Sequence, residues 1–388
     1  MTDPLTGKTV TLHDIDPSLV KITPNPNPGT PLPSEKLSFG KTFTDHMLVI
    51  PWTSTEGWAA PEIKPYGPLS LEPSSVVLHY ANALFEGLKA YRSASGRITL
   101  FRPDMNMRRM NRTAERIALP TFDGQALTEL IASLVRMDER WIPSEPGHSL
   151  YIRPTLIGTQ NALGVGPSTS ALLFVICSPV GPYYKGGFKP IALLATTKHV
   201  RAAPGGIGSY KLAANYAPGI IPQLEAAMEG YAQNLWLQGK EHFLTEVGTM
   251  NLFVVLRGED GATELVTPPL DDVILPGVTR DSVLALARSH ASTPITGLPP
   301  SKDFRVLERP ISMPELVRAS KESRLLEVFG AGTAAIVCPV DRIGYLGEDI
   351  HVPVGEKGMG PICEIMHREI VGRQTGVIPS DWAYVVKE

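Results

Sequence analysis

The chain has 388 residues, enough for two ordinary domains and a large buried core. A hydrophobic fraction of 43% excludes a disordered chain, and a formal net charge of -3 excludes general attraction to nucleic acid or to an anionic membrane. The three cysteines, Cys177, Cys338 and Cys363, are widely spaced and form no CxxC pair, so neither a disulfide framework nor a zinc or thioredoxin-like motif is expected, and no metal site.

The N-terminal stretch MTDPLTGKTVTLHDIDPSLV has neither the apolar core of a signal peptide nor the Arg-rich character of a transit peptide. A cytoplasmic protein is therefore expected, with a mature mitochondrial form equally compatible. The longest apolar run, Ala171 to Cys177, is short and reads as a buried strand. Residues 1–35 include PNPNPGTPLP at 24–33, and proline at this density opposes regular helix and sheet. They are predicted to form an extended arm over the body.

A small α/β domain is predicted over 36–178. Leu48–Pro51 and Ser75–Tyr80 read as strands. From Pro103 a helix is expected, because Met107, Met110, Ala114 and Ile117 recur at spacings of three and four; a second, over 125–137, carries Leu127, Leu130, Ile131 and Leu134 on one face. Strands at 149–157 and 171–176 follow. The Pro/Gly/Tyr-rich segment 179–190 is the expected interdomain loop. A larger domain is assigned to 191–388, with a helix over 222–229, strands at 234–237, 243–246, 253–256 and 264–266, and a helix over 281–290. Mixed short strands and helices in both halves indicate an α/β (α+β) protein of two domains.

Several motifs carry both a chemical and a bland reading. Gly330-Ala-Gly-Thr-Ala-Ala335 fits a dinucleotide fingerprint, but Pro339 arrives too soon for the helix that fingerprint needs. Its glycines suit a tight turn that presents N–H groups to a small anion. Lys211, after Gly205-Gly-Ile-Gly-Ser-Tyr, is followed by the weakly polar Leu-Ala-Ala-Asn-Tyr. A lysine among apolar neighbours has a depressed pKa, and its neutral amine can attack an aldehyde; the bland reading is a solvated charge. Glu246 ends an apolar strand before a glycine turn, as a carboxylate aimed at a cation would, or as any strand-end acid does. Arg109, Arg112 and Arg116 share one helical stripe, which is either a phosphate site or a solvated face. Pro276-Gly-Val-Thr-Arg-Asp-Ser282 looks like a helix start with Thr279 as N-cap, where phosphate binds readily.

Taken together, FGKTFTDHM (39–47), LHYANALFEGLKAYR (78–92), LFRPDMNMRRMNRTAERIALP (100–120), SLYIRP (149–154), GSYKLAANYAPG (208–219), LTEVGTMN (244–251), VTPPLDDVILPGVTR (266–280) and FGAGTAA (329–335) closely resemble the branched-chain aminotransferases. These are fold type IV enzymes dependent on pyridoxal 5'-phosphate, similar to D-amino-acid aminotransferase. The resemblance implies an active site at the domain interface, a PLP-binding role for 191–388, and transfer of the amino group of L-leucine, L-isoleucine or L-valine to 2-oxoglutarate, giving L-glutamate.

It also implies roles for single residues. Lys211 would bond the cofactor and shuttle the Cα proton. Glu246 would pair with the ring nitrogen and Tyr216 with the phenolic oxygen. Arg109, the Thr249 hydroxyl and the N–H groups of Val278 and Thr279 would hold the phosphate. Thr333 and Ala334 would hold the substrate α-carboxylate. Phe39, Tyr80, Tyr151, Tyr183 and Tyr216 would wall the side-chain pocket, with Arg153 receiving glutamate's distal carboxylate. Leu163 and Val165 would reach the partner's site in a homodimer. The chain departs from mammalian members at Ala335, where they carry the first cysteine of a CxxC pair; only Cys338 remains, so no redox switch is expected there. Arg108 stands where an acid is common in relatives and is expected to be inconsequential. Rival readings are D-amino-acid aminotransferase, aminodeoxychorismate lyase, a non-catalytic homologue and an NAD-dependent oxidoreductase.

Overall fold

The computed structural model describes residues 12–182 and 189–387. The chain runs β1 (Lys21–Ile22), β2 (His46–Thr53), β3 (Gly57–Trp58), β4 (Glu62–Pro65), α1 (Val76–Tyr80), β5 (Ala83–Phe85), β6 (Leu88–Arg92), β7 (Ile98–Phe101), α2 (Pro103–Arg116), α3 (Gly124–Met137), β8 (Ser149–Gly158) and β9 (Ser170–Val180). It continues through β10 (Ile191–Thr196), α4 (Ile220–Met228), β11 (Gln233–Gln238), β12 (Phe243–Val247), β13 (Met250–Arg257), β14 (Thr263–Thr267), α5 (Val278–Ser289), β15 (Phe304–Glu308), α6 (Met313–Lys321), β16 (Leu325–Gly332), β17 (Ile336–Tyr345), β18 (Glu348–His351), α7 (Pro361–Gln374) and β19 (Ala383–Lys387).

Two compact units result. One consists of Met1–Pro182, Tyr210–Ala214 and Gln374–Glu388, the other of Tyr183–Ser209 and Asn215–Arg373. The boundary drawn from the sequence at 191 therefore needs a correction. Tyr210–Ala214 belong with the first unit, and β19 pairs antiparallel with β7, Val385 opposite Thr99, to finish the first sheet's edge. A long-range pairing of this kind leaves no local signal in the sequence.

In the first unit the sheet order is β1-β4-β2-β9-β8-β6-β7-β19, with β3 on β2 and β5 on β8. Helices α2 and α3 pack on each other, α3 also against β2 and β19. Asp123 caps α3 by accepting from the N–H groups of Gln125 and Ala126, and Leu127, Leu130, Ile131 and Leu134 are buried as the periodicity required. Burying each such side chain is worth about 2 kcal/mol. The proline-rich arm lies on the sheet: β1 pairs with β4, and the N–H of Gly29 donates to Asp45 Oδ1 at 2.7 Å.

One predicted strand is a helix. The valines of Ser75–Tyr80 favour β, but Val76–Tyr80 form a single helical turn. Ser75 N–H donates to the Glu72 carbonyl in a turn, and Ala81 ends the helix in the left-handed region at φ 51°. Local turn chemistry overrides β-propensity over so short a run.

In the second unit the order is β12-β11-β10-β17-β16-β13-β14-β15, with β18 on β17. A further pairing of β12 with β13 joins β12, β11, β10, β17, β16 and β13 into a closed ring. Leu193, Leu235, Leu252, Val254, Val340 and Ile343 belong to its buried core. Closure leaves no open edge within the ring, so the turns at its rim are held in fixed places.

Candidate active site

The predicted site residues fall into two sets, one on each unit. On the first unit, Lys211 is half-buried in the segment that returns to the sheet. Its N–H donates to Thr113 Oγ1 of α2 at 3.2 Å, and its carbonyl accepts from Phe85 N–H at 3.2 Å. Its ammonium sits 4.8 Å from the centre of the Phe85 ring. Burial, reinforced by the Arg109 guanidinium, lowers the amine to about 8, while Glu86 opposes the shift.

Arg109 is buried on α2. Its Nε and Nη2 donate to Glu86 Oε1 and Oε2, each at 2.7 Å, in a two-pronged pair. Glu86 is fully buried and also accepts from Asn106 Nδ2 at 2.8 Å. Burial alone would raise the Glu86 carboxyl, but Arg109, Lys211 and Asn106 together outweigh it, and the net shift is downward. Arg112 and Arg116 take a different course from Arg109. Their guanidinium carbons lie 4.6 and 5.7 Å from the Tyr210 ring. The exposed Arg108 pairs with Asp104 one turn away at 2.6 Å.

On β8, Tyr151 and Arg153 share a face, as alternation demands. Arg153 Nη2 donates to the Tyr151 hydroxyl at 3.2 Å, and the Phe39 ring meets Tyr151 edge-on at 4.9 Å. The Arg153 guanidinium carbon lies 4.7 Å from the Phe85 ring centre. Tyr80 is exposed at the end of α1, and its hydroxyl donates to the Leu163 carbonyl. Leu163 and Val165 stand out from their loop, 69% and 83% exposed. Tyr183 lies outside the described residues.

On the second unit, a cleft is lined by Tyr216, Glu246 and Thr249 together with Arg201, Asn215, Trp236 and Leu275. Glu246 is buried on β12; its Oε1 accepts from Leu275 N–H at 2.8 Å and its Oε2 lies 3.2 Å from Arg201 Nε. Thr249 is exposed in the two-residue turn from β12 to β13, after Gly248 at φ 54°. Asn251 Nδ2 donates to the Leu275 carbonyl at 2.8 Å, so the strand pair also fixes the segment leading into α5.

Helix α5 starts at Val278 with Gly277 as N-cap, and no side chain caps it. Thr279 is thus the second helical residue and not the N-cap expected from the sequence; Gly277 holds the extended backbone a cap needs, at φ -73° and ψ 136°. The first N–H groups of a helix have no intrahelical partners, an arrangement suited to phosphate. Thr333 and Ala334 occupy the turn between β16 and β17. Gly330 and Gly332 are therefore strand residues of a hairpin, with Gly332 opposite Ile336, and no helix follows them. That geometry excludes the dinucleotide reading of this segment.

Sequence reasoning missed Glu86 and Arg201. Each pairs with a predicted residue far along the chain, so spacing gave no signal. For Glu86 one clue existed: an acid enclosed by apolar residues next to a glycine.

A family model for amino-transferase class IV matches residues 83–343, a span that holds most of these site residues. This chain belongs to the class IV aminotransferases. It is 57% identical over 341 residues to the mitochondrial branched-chain-amino-acid aminotransferase of Saccharomyces cerevisiae, covering 88% of this chain and 85% of the relative. The cytosolic enzyme of the same yeast is 52% identical over 383 residues, covering 98% and 100%. Among solved structures, the Escherichia coli branched-chain amino acid aminotransferase superposes with a TM-score of 0.68 at 26% identity, over 87% of this chain and 99% of that one. The branched-chain aminotransferase of the archaeon Thermoproteus uzoniensis, solved with norvaline, gives 0.65 at 25% identity, over 87% and 99%. The family's aminotransferase activity thus extends to this chain, and its fold is that of these enzymes. Among the described residues no helix is long and apolar enough to cross a membrane.

Proposed function

We propose that this aminotransferase moves the amino group of L-leucine, L-isoleucine or L-valine to 2-oxoglutarate, using pyridoxal 5'-phosphate held by Lys211. The observation that carries the reading is the Lys211 amine, lowered to about 8 and set against Phe85. Such an amine is partly neutral near physiological pH and so able to bond an aldehyde.

The residues present fit the cofactor. Arg109 and the first-turn N–H groups of Val278 and Thr279 suit its phosphate, with the Thr249 hydroxyl as a further donor. The buried Glu246 carboxylate suits a protonated ring nitrogen, and the Tyr216 hydroxyl an oxyanion. When bound, the cofactor supplies an electron sink for charge developing at the substrate Cα. Lys211 takes the proton from Cα and returns it, as general base and then general acid. The Thr333-Ala334 turn holds the α-carboxylate through N–H groups and the Thr333 hydroxyl. Phe39 and Tyr151 supply apolar wall for branched side chains, while Arg153 offers a charged fork to a distal carboxylate. The exposed Leu163 and Val165 are assigned to the partner's site in a homodimer.

Steady-state kinetics test the reading. L-leucine and 2-oxoglutarate should give the parallel double-reciprocal lines of a ping-pong reaction. Activity on D-alanine without activity on L-leucine would instead assign the chain to a D-amino-acid aminotransferase.

A further inference from the structure

We infer that Gly87 is a specificity-determining positioning residue: by lacking a side chain it admits the Tyr151 hydroxyl, and through Tyr151 it sets Arg153 for a distal carboxylate. The inference rests on the substrate reading above and deepens it.

A Cβ built on Gly87 would lie 2.0 Å from the Tyr151 hydroxyl oxygen and 2.8 Å from Tyr151 Cζ. The three atoms nearest to that position all belong to Tyr151. Real Cβ atoms do not approach other atoms so closely, so any larger residue must move the tyrosine. The backbone makes no such demand, because Gly87 is not among the glycines at positive φ. The glycine is needed for close approach alone.

What stands in its way is the far end of a rotatable side chain, so the fold can absorb an alanine by swinging Tyr151 aside. The effect of that swing falls on the groups that hold the ring. The hydroxyl accepts from Arg153 Nη2 at 3.2 Å, and Phe39 packs edge-on at 4.9 Å. Register supports the arrangement: Lys89 lies opposite Tyr151 and Leu88 opposite Ile152, which puts Gly87 next to Arg153 across the β6–β8 pair. Displacing the hydroxyl therefore loosens Arg153. A dicarboxylate substrate needs that guanidinium fork, whereas a branched aliphatic side chain needs only apolar contact.

The test compares the holoenzyme with Gly87→Ala, Tyr151→Phe and the double variant. Half-reaction rates with L-glutamate and with L-leucine are measured for each, with thermal unfolding as a check on folding. Gly87→Ala should keep its fold and lose about tenfold in kcat/KM for L-glutamate relative to L-leucine, the worth of one hydrogen bond to a charged group. The loss should appear mainly in KM. Adding Tyr151→Phe should cost clearly less in the Gly87→Ala background than in the wild type, because the displaced hydroxyl no longer serves Arg153. An unchanged glutamate-to-leucine ratio in folded Gly87→Ala, or additive effects in the double variant, would overturn the inference alone. If Gly87→Ala fails to fold, a crystal structure of Tyr151→Phe decides: an unmoved Arg153 overturns the role, and a displaced one supports it. A wild-type protein that turns over neither amino acid would overturn the substrate reading and this role with it.

Discussion

At the scale of single residues, burial is the main influence on the state of Lys211, with two opposed charges modifying it. Burial and Arg109 push its amine down to about 8, and Glu86 pushes the other way. Roughly a tenth of the amine is then neutral at pH 7, against far less for an ordinary lysine. The rate at which the apoprotein bonds added pyridoxal 5'-phosphate should accordingly rise with pH and level off just above pH 8; a rise continuing to pH 10 would contradict this environment. Glu86 has a second task, since it satisfies a buried guanidinium. Glu86→Leu removes the two-pronged carboxylate partner of a buried guanidinium and should cost about 3–5 kcal/mol in chemical unfolding. The pH dependence follows from the lowered Glu86 carboxyl. As pH falls below the unfolded carboxyl's value the unfolded chain binds the proton first, so the pair's contribution, complete above about pH 4.3, is lost as pH drops through the lower folded value. Wild-type stability should fall more steeply than that of Glu86→Leu in this acid range, and equal slopes would contradict the pair.

At the scale of elements, what the sequence revealed depended on how local the cause was. Helices α2 and α3 were legible because a buried stripe repeats every three or four residues, and β8 was legible through alternation that put Tyr151 and Arg153 on one face. Val76–Tyr80 misled because a run of five residues is too short for period to outweigh turn chemistry. The site motifs were legible as segments, yet their supports were not: Glu86 for Arg109, and Arg201 with Leu275 for Glu246, are pairings made by the fold. The start of α5 shows the same limit, since Gly277 and not Thr279 caps it. There a Cβ at Gly277 would lie 2.0 Å from Asn251 Oδ1, so Gly277→Ala should push Asn251 off the Leu275 carbonyl. A loss of about 1–3 kcal/mol in unfolding free energy is expected, with weaker cofactor retention on dialysis. An unperturbed stability would show that this junction tolerates more than its geometry allows.

At the scale of the whole molecule, each unit presents one set of the proposed site residues. The first presents Lys211, Arg109 and the Tyr151–Arg153 pair on a sheet backed by helices; the second presents Tyr216, Glu246 and the N-terminus of α5 around a closed ring of strands. Cys177, Cys338 and Cys363 are all buried, and burial raises the Cys177 and Cys363 thiols. Thiol reagents should label none of the three in the native protein and all three after unfolding. Reversible inactivation by oxidants through Cys338 would contradict that. If the exposed Leu163 and Val165 join the proposed homodimer's interface, Leu163→Asp with Val165→Asp should weaken self-association in sedimentation, with activity falling in step; unchanged association would remove this loop from the interface.

Lys211 is proposed to carry the cofactor of a branched-chain aminotransferase, and visible absorption spectroscopy of the purified protein tests that role. The purified protein loaded with pyridoxal 5'-phosphate should be yellow, bleach with L-leucine and recover with 2-oxoglutarate, and Lys211→Ala should show none of this cycle. A protein that stays colourless with the cofactor, or a Lys211→Ala variant that cycles like the wild type, would contradict the account.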